Sequence, residues 1–96
     1  MEVKFNRQDS ALTVVISGNI DTVTAPELES KLQENLSDVK DLVLDFAAVD
    51  YISSAGLRVL LGAQKKMQKI GSMKVIGVCE EVMEVFEMTG FADILV

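Results

Sequence analysis

Residues 42–78 carry the pattern that most narrows what this chain can become. Leu42-Val43-Leu44-Asp45-Phe46 is a short, almost continuous apolar run, which predicts a central strand covered on both faces, with helices on either or both sides of a sheet. Leu57, Leu60, Leu61, Ala63, Met67 and Ile70 follow at helical spacing, predicting a helix over about 54–70 closed by Gly71 as a left-handed cap. Met73-Lys74-Val75-Ile76-Gly77-Val78 then reads as another strand. A crossover helix is what joins parallel neighbours, so these two strands are expected to run parallel.

The flanks extend this unit. Val3 and Phe5, then Leu12, Val14 and Ile16, alternate with polar residues around Gln8-Asp9-Ser10, predicting an opening hairpin that ends at Gly18. Thr24-Ala25-Pro26-Glu27 places a capping hydroxyl, a proline in the first turn and a glutamate able to cap back. A helix is expected there, with Leu28, Leu32 and Leu36 as its buried stripe. A third helix is expected from Glu80 to Thr89, with Val82, Val85 and Phe86 inward and Gly90 as its stop. Phe91, Ile94 and Leu95 read as a closing strand or docked tail. The methionines at 67, 73, 83 and 88 are expected to fill core space.

A chain of 96 residues is long enough for one core and too short for two. The fold class is therefore α/β, a single domain over residues 1–96. Its sheet is mixed but mostly parallel, with four to five strands and an opening hairpin, packed by three to four helices.

Charge and missing residue types exclude whole classes of function. With 15 acidic against 9 basic side chains and a net charge of −6, the overall field repels phosphate backbones and anionic lipid headgroups, so neither nucleic acid nor membrane is an expected partner. Arg58, Lys65 and Lys69 form a basic strip on the second helix that reads as a solvated face and helix-end complementarity, with contact to an acidic partner surface as the alternative. No histidine is present and Cys79 is the single cysteine. Zinc sites, Ser-His-Asp triads and Cys-His dyads are thus out of reach, and no metal, cofactor or catalytic residue is expected. Cys79 has no partner for a disulfide, the first residues lack the apolar core of a signal peptide, and no apolar run approaches the length of a spanning helix. A cytoplasmic location is expected.

Ligand sites in open α/β sheets lie outside the carboxyl ends of the strands, and residues 49–54 are expected to form a loop in such a place. Ser53 and Ser54 there have an ordinary explanation as helix caps. They also have a functional one, since a phosphate carried at a helix start meets free N–H groups and the positive end of the helix dipole. Gly56 costs helix propensity in the first turn; tight helix–sheet packing or close approach of a partner backbone would each account for it.

Tyr51-Ile52-Ser53-Ser54-Ala55-Gly56-Leu57 resembles the phosphorylation loop of the anti-sigma-factor antagonists, the group with the STAS fold. The resemblance extends to Gly18-Asn19-Ile20-Asp21, to the Leu-Val-Leu-Asp strand at 42–45 and to Phe86-Glu87-Met88-Thr89-Gly90-Phe91. It implies a single STAS-type domain. Aligned on Gly56 and Leu57, it puts the phosphoacceptor at Ser54, with Ala55 in place of a second hydroxyl and Ser53 where the family usually has Asp. It further implies that Asp21 and Thr22 lie near this loop and that, with Ser53, Ala55, Gly56 and Arg58, they meet a partner. That partner would be an ATP-binding serine kinase that acts as anti-sigma factor; phosphorylation would release it, and a serine phosphatase would reset the cycle. The chain itself is expected not to be an enzyme.

Three rivals stand beside this. Asp45 and Asp50 hint at an aspartyl-phosphate receiver, but the further acids that would hold a divalent ion are missing. A nucleotide-binding or acyl-transfer enzyme with Ser54 as nucleophile would need a base or a glycine-rich phosphate loop, and the chain has neither a histidine nor such a loop. An unphosphorylated scaffold or transporter-associated regulatory subunit keeps the same fold, and a kinase assay separates it from the switch.

Overall fold

A computed structural model of the protein describes residues 1–91. Four strands and three helices follow one another as β1 (Glu2–Gln8), β2 (Ala11–Ile20), α1 (Ala25–Asn35), β3 (Asp41–Ile52), α2 (Ser54–Ile70), β4 (Ser72–Ile76) and α3 (Glu80–Thr89). The sheet order is β1-β2-β3-β4, with β1 antiparallel to β2 and the other pairs parallel. The expected hairpin, crossover helices and mixed sheet are all present.

One face of the sheet holds the core. Leu12, Val14, Ile16 and Ile20 of β2 and Leu42, Leu44, Phe46, Val49 and Ile52 of β3 are buried. They form one cluster with Leu28 and Leu32 of α1, Leu57, Leu60 and Met67 of α2, and Val82 and Phe86 of α3. All three helices therefore cover the same face. This corrects the expectation of a central strand buried on both sides: Val43 and Asp45 point to the open face and are half-buried. Both crossovers step in the same direction along the sheet, and connections of one hand then put their helices on one side.

Several local readings also change. β2 runs on past Gly18 to Ile20, and β3 runs to Ile52 instead of giving way to a loop at 49. The two strands stay paired through register shifts, Gly18 with Val49, Asn19 with Tyr51 and Ile20 with Ile52, so a bulged ladder replaces the loop. β4 begins at Ser72 and ends at Ile76. Gly71 is not a left-handed cap, since its φ is 176°, ordinary extended backbone. Its lack of a side chain is instead steric, because a Cβ there would run into the carbonyl oxygen of Lys40.

α3 matches its expected bounds, and Gly90 closes it in the left-handed conformation. Phe91 is buried with its ring 5.1 Å from that of Phe86, while Ile94 and Leu95 lie outside the described residues. Met67 and Met73 are in the core as expected; Met83 and Met88 are exposed, as is Ile70 at the end of α2. These three were misassigned because helical spacing places a residue on a face without saying where the covering sheet stops. Among the described residues no helix is long and apolar enough to cross a membrane.

Candidate functional site

The carboxyl ends of β2 and β3 emerge side by side and open directly into α1 and α2. After Ile20 the chain turns through residues 21–24, and after Ile52 only Ser53 separates strand from helix. The two exits are tied together by the Ser53 N–H, which donates to the Ile20 carbonyl at 2.8 Å. Whatever moves one segment therefore pulls on the other.

The first turn depends on Asp21. Its carboxylate accepts from the N–H groups of Val23 at 2.9 Å and Thr24 at 3.0 Å. The Thr24 hydroxyl accepts from the Asp21 N–H at 2.9 Å and reaches the Asn19 carbonyl at 2.9 Å. This corrects the expected capping box. Thr24 sits at the N-cap but does not cap with its side chain, because the hydroxyl is spent backwards on the strand exit. Glu27 does not cap back either; it pairs with Lys31 at 3.2 Å. The N–H groups of Thr24 and Val23, helped by the Thr24 hydroxyl, hold the Asp21 carboxyl below the usual carboxylate range.

The second turn separates the roles of the two serines. Ser53 is the N-cap of α2, and its Oγ accepts from the Gly56 N–H at 3.2 Å. Ser54, the first helical residue, is exposed and makes no side-chain hydrogen bond among the described residues. One hydroxyl is thus structural and its neighbour is free to react. Aspartate, usual at the Ser53 position in the family that the sequence resembles, is an equally good N-cap. Serine keeps that cap and omits the negative charge.

Gly56 is buried, and a Cβ there would lie 2.7 Å from both Ile20 Cγ2 and Ile52 Cγ1. Its absent side chain serves helix–sheet packing. Asp21, Ser53 and Ala55 are half-buried, while Thr22 and Arg58 are exposed. Thr22, Ala55 and Arg58 line a hollow of about 200 Å³ between α1 and α2. Ser54 and Arg58 line another of about 250 Å³ on the opposite flank of α2. The residues singled out in the sequence are therefore brought to one end of the molecule, with Gly56 beneath them and the rest at or near the surface.

Two residues at this end were passed over. Val23 is 82% exposed and Tyr51 is 51% exposed, large apolar groups on either side of the tie between Ile20 and Ser53. The available signal was an isolated Val between two threonines, and a Tyr next to Asp50 in a segment otherwise alternating toward the core. Among the described residues no group of His, Cys, Asp and Glu is placed to hold a metal ion.

Comparison with known proteins agrees with this architecture. The STAS domain family matches residues 2–95. The anti-sigma-B factor antagonist of Bacillus subtilis is 35% identical over 96 residues, covering 99% of this chain and 86% of that protein. An anti-sigma factor antagonist from Mycobacterium paratuberculosis superposes with a TM-score of 0.87 at 29% identity, over 96% of this chain and 80% of that one. The Bacillus cell fate determinant SpoIIAA in its phosphorylated form shares the fold, with a TM-score of 0.78 at 13% identity over 99% of this chain and 89% of that one. With a family match across nearly its whole length and a sheet and helix order that fit it, this chain belongs to the STAS domain family.

Proposed function

We propose that the chain is an anti-sigma-factor antagonist that binds a serine kinase, itself the anti-sigma factor, while Ser54 is unmodified and lets it go when Ser54 is phosphorylated. The observation that carries this reading is the state of the Ser54 hydroxyl, which is exposed and uncommitted while Ser53 does the capping. Curated relatives named as anti-sigma-B factor antagonists support the partner class.

The chemistry needs little from this chain. The Ser54 oxygen attacks the γ-phosphorus of ATP bound to the partner. As the new O–P bond forms, the bond to the ADP oxygen breaks, ADP leaves with the electron pair, and the serine proton passes to a base on the partner. A serine phosphatase reverses the state by directing water at phosphorus, which returns the hydroxyl and inorganic phosphate. In this reading the chain is substrate and ligand, not catalyst, and works in the cytoplasm where ATP is available.

Release follows from charge. A phosphate of about −1.5 to −2 placed in a desolvated contact leaves a buried charge unpaired, at a cost of about 3 to 5 kcal/mol. At about 1.4 kcal/mol per tenfold, affinity falls at least a hundredfold. The exposed Val23 and Tyr51 supply apolar contact at the same end.

The test is intact-mass spectrometry with site mapping on protein incubated with ATP and each serine kinase of its own genome. One phosphate on Ser54, absent from Ser54→Ala, is the expected result. No modification by any of them, or modification confined to Ser53, would overturn the switch in favour of an unphosphorylated scaffold.

A further inference from the structure

Arg58 is an unpaired cation in a strongly acidic protein. The chain carries a net charge of −6, yet Arg58 makes no ion pair or hydrogen bond among the described residues. Glu29 lines the same hollow between α1 and α2 without coming within ion-pair distance. Its position does not help the helix either, because it stands in the second turn, far from the C-terminal end where a positive charge is favourable. Packing does not account for it, since the side chain is exposed.

Arg58 shares one side of α2 with Ser54. The two are four residues apart in α2, hence one turn apart on the same side of the helix. Both also line the hollow whose other walls are Leu57, Leu61, Thr89 and Phe91. Among the described residues those walls are largely apolar and carry no competing acid. The order is the favourable one, an anion toward the helix start and a cation four residues on. A guanidinium presents two parallel N–H groups to phosphate oxygens, which an ammonium cannot do.

We propose that Arg58 is the intramolecular counter-ion of phosphate on Ser54, an inference that rests on the proposed modification of that serine. In the unmodified protein Arg58 is available to an acidic group on the partner. In the modified protein it turns to the phosphate, so one event adds an anion to the docking face and withdraws a cation from it.

The pairing is tested without any kinase by incorporating phosphoserine at position 54 through a reassigned codon and following its second ionisation by phosphorus NMR. The nearby cation favours the dianion, so Arg58→Gln is expected to raise the second pKa by about half a pH unit at low salt, and less at high salt. Lys65→Gln, about 16 Å further along the helix, is the control for the general field and is expected to leave the value unchanged. Equal titration of the parent phosphoprotein and its Arg58→Gln variant, or an equal shift in Lys65→Gln, would overturn the proposal. Circular dichroism on each variant confirms that the helix is intact. Failure of every kinase to modify Ser54 would remove the proposed switch and leave this titration standing, so the two failures are told apart.

Discussion

At the C-terminal end of α2, Gly71 lies against the backbone of Lys40, its N–H donates to Met67, and the Ser72 N–H donates to Lys40 at 2.7 Å. Lys40 and Asp41 in turn donate to the Ser10 carbonyl, and the Ser72 hydroxyl closes on the Asp41 carboxylate at 2.9 Å. Backbone satisfies backbone there, and the starts of β2, β3 and β4 are bound into one unit. At the N-terminal end of the same helix the tie beyond the strand ladder is the Ser53 N–H to the Ile20 carbonyl, and around it stand, among the described residues, an uncommitted hydroxyl, an unpaired guanidinium and two exposed apolar side chains. The difference teaches where a small α/β domain can carry a switch. Strand starts that are laced together have nothing left to offer, while strand ends that open into helices leave groups to spare.

Five substitutions break or sharpen this contrast. Gly71→Ala attacks the sealed end, where a Cβ meets a carbonyl that cannot move without its strand. A loss of about 3 kcal/mol or more in denaturant unfolding is expected, and a loss under about 0.5 kcal/mol would mean the end is not sealed as described. Gly56→Ala attacks the floor of the open end, where the obstacles are side-chain methyls 2.7 Å away. About 1 to 3 kcal/mol is expected, with a larger loss pointing to a floor as rigid as the Lys40 contact.

The serine pair gives the next effect. Ser53→Ala removes the cap and should cost about 1 kcal/mol, whereas Ser54→Ala should stay within about 0.5 kcal/mol while abolishing phosphorylation. Reversal of that order in thermal melts would exchange the roles of the two hydroxyls. The smallest effect concerns Asp21. Its lowered carboxyl value means the ionised form is favoured in the folded state, so its contribution is complete above its unfolded value of about 3.9 and is lost as pH falls through the lower folded value. The stability gap between the parent and Asp21→Asn should therefore be widest near neutral pH and close below about pH 4. A gap that does not narrow in acid would show that the amide loses something other than charge.

Much of this was legible in the chain. The bounds of α2 and α3 follow from apolar spacing and a closing glycine, because a helix declares itself over many residues. The parallel β3–α2–β4 unit follows from element order, since few connections can join such strands. What misled were features decided by partners far away in sequence. Thr24 looks like a cap until Asn19 claims its hydroxyl, and the stretch from Val49 looks like a loop until Gly18–Ile20 pairs with its first residues.

Sequence by itself determined the class of fold, the position of α2 and the pair of serines at its start, since these depend on local periodicity and on the short reach of a capping side chain. Only the tertiary structure decided which serine caps and which is free, why residue 71 must be glycine, that all helices share one face, and that Arg58 stands without a partner. The first depends on where β3 stops, set by its pairing with β2; the others depend on how closely segments distant in the chain approach one another, and a separation in space is not written in the order of residues.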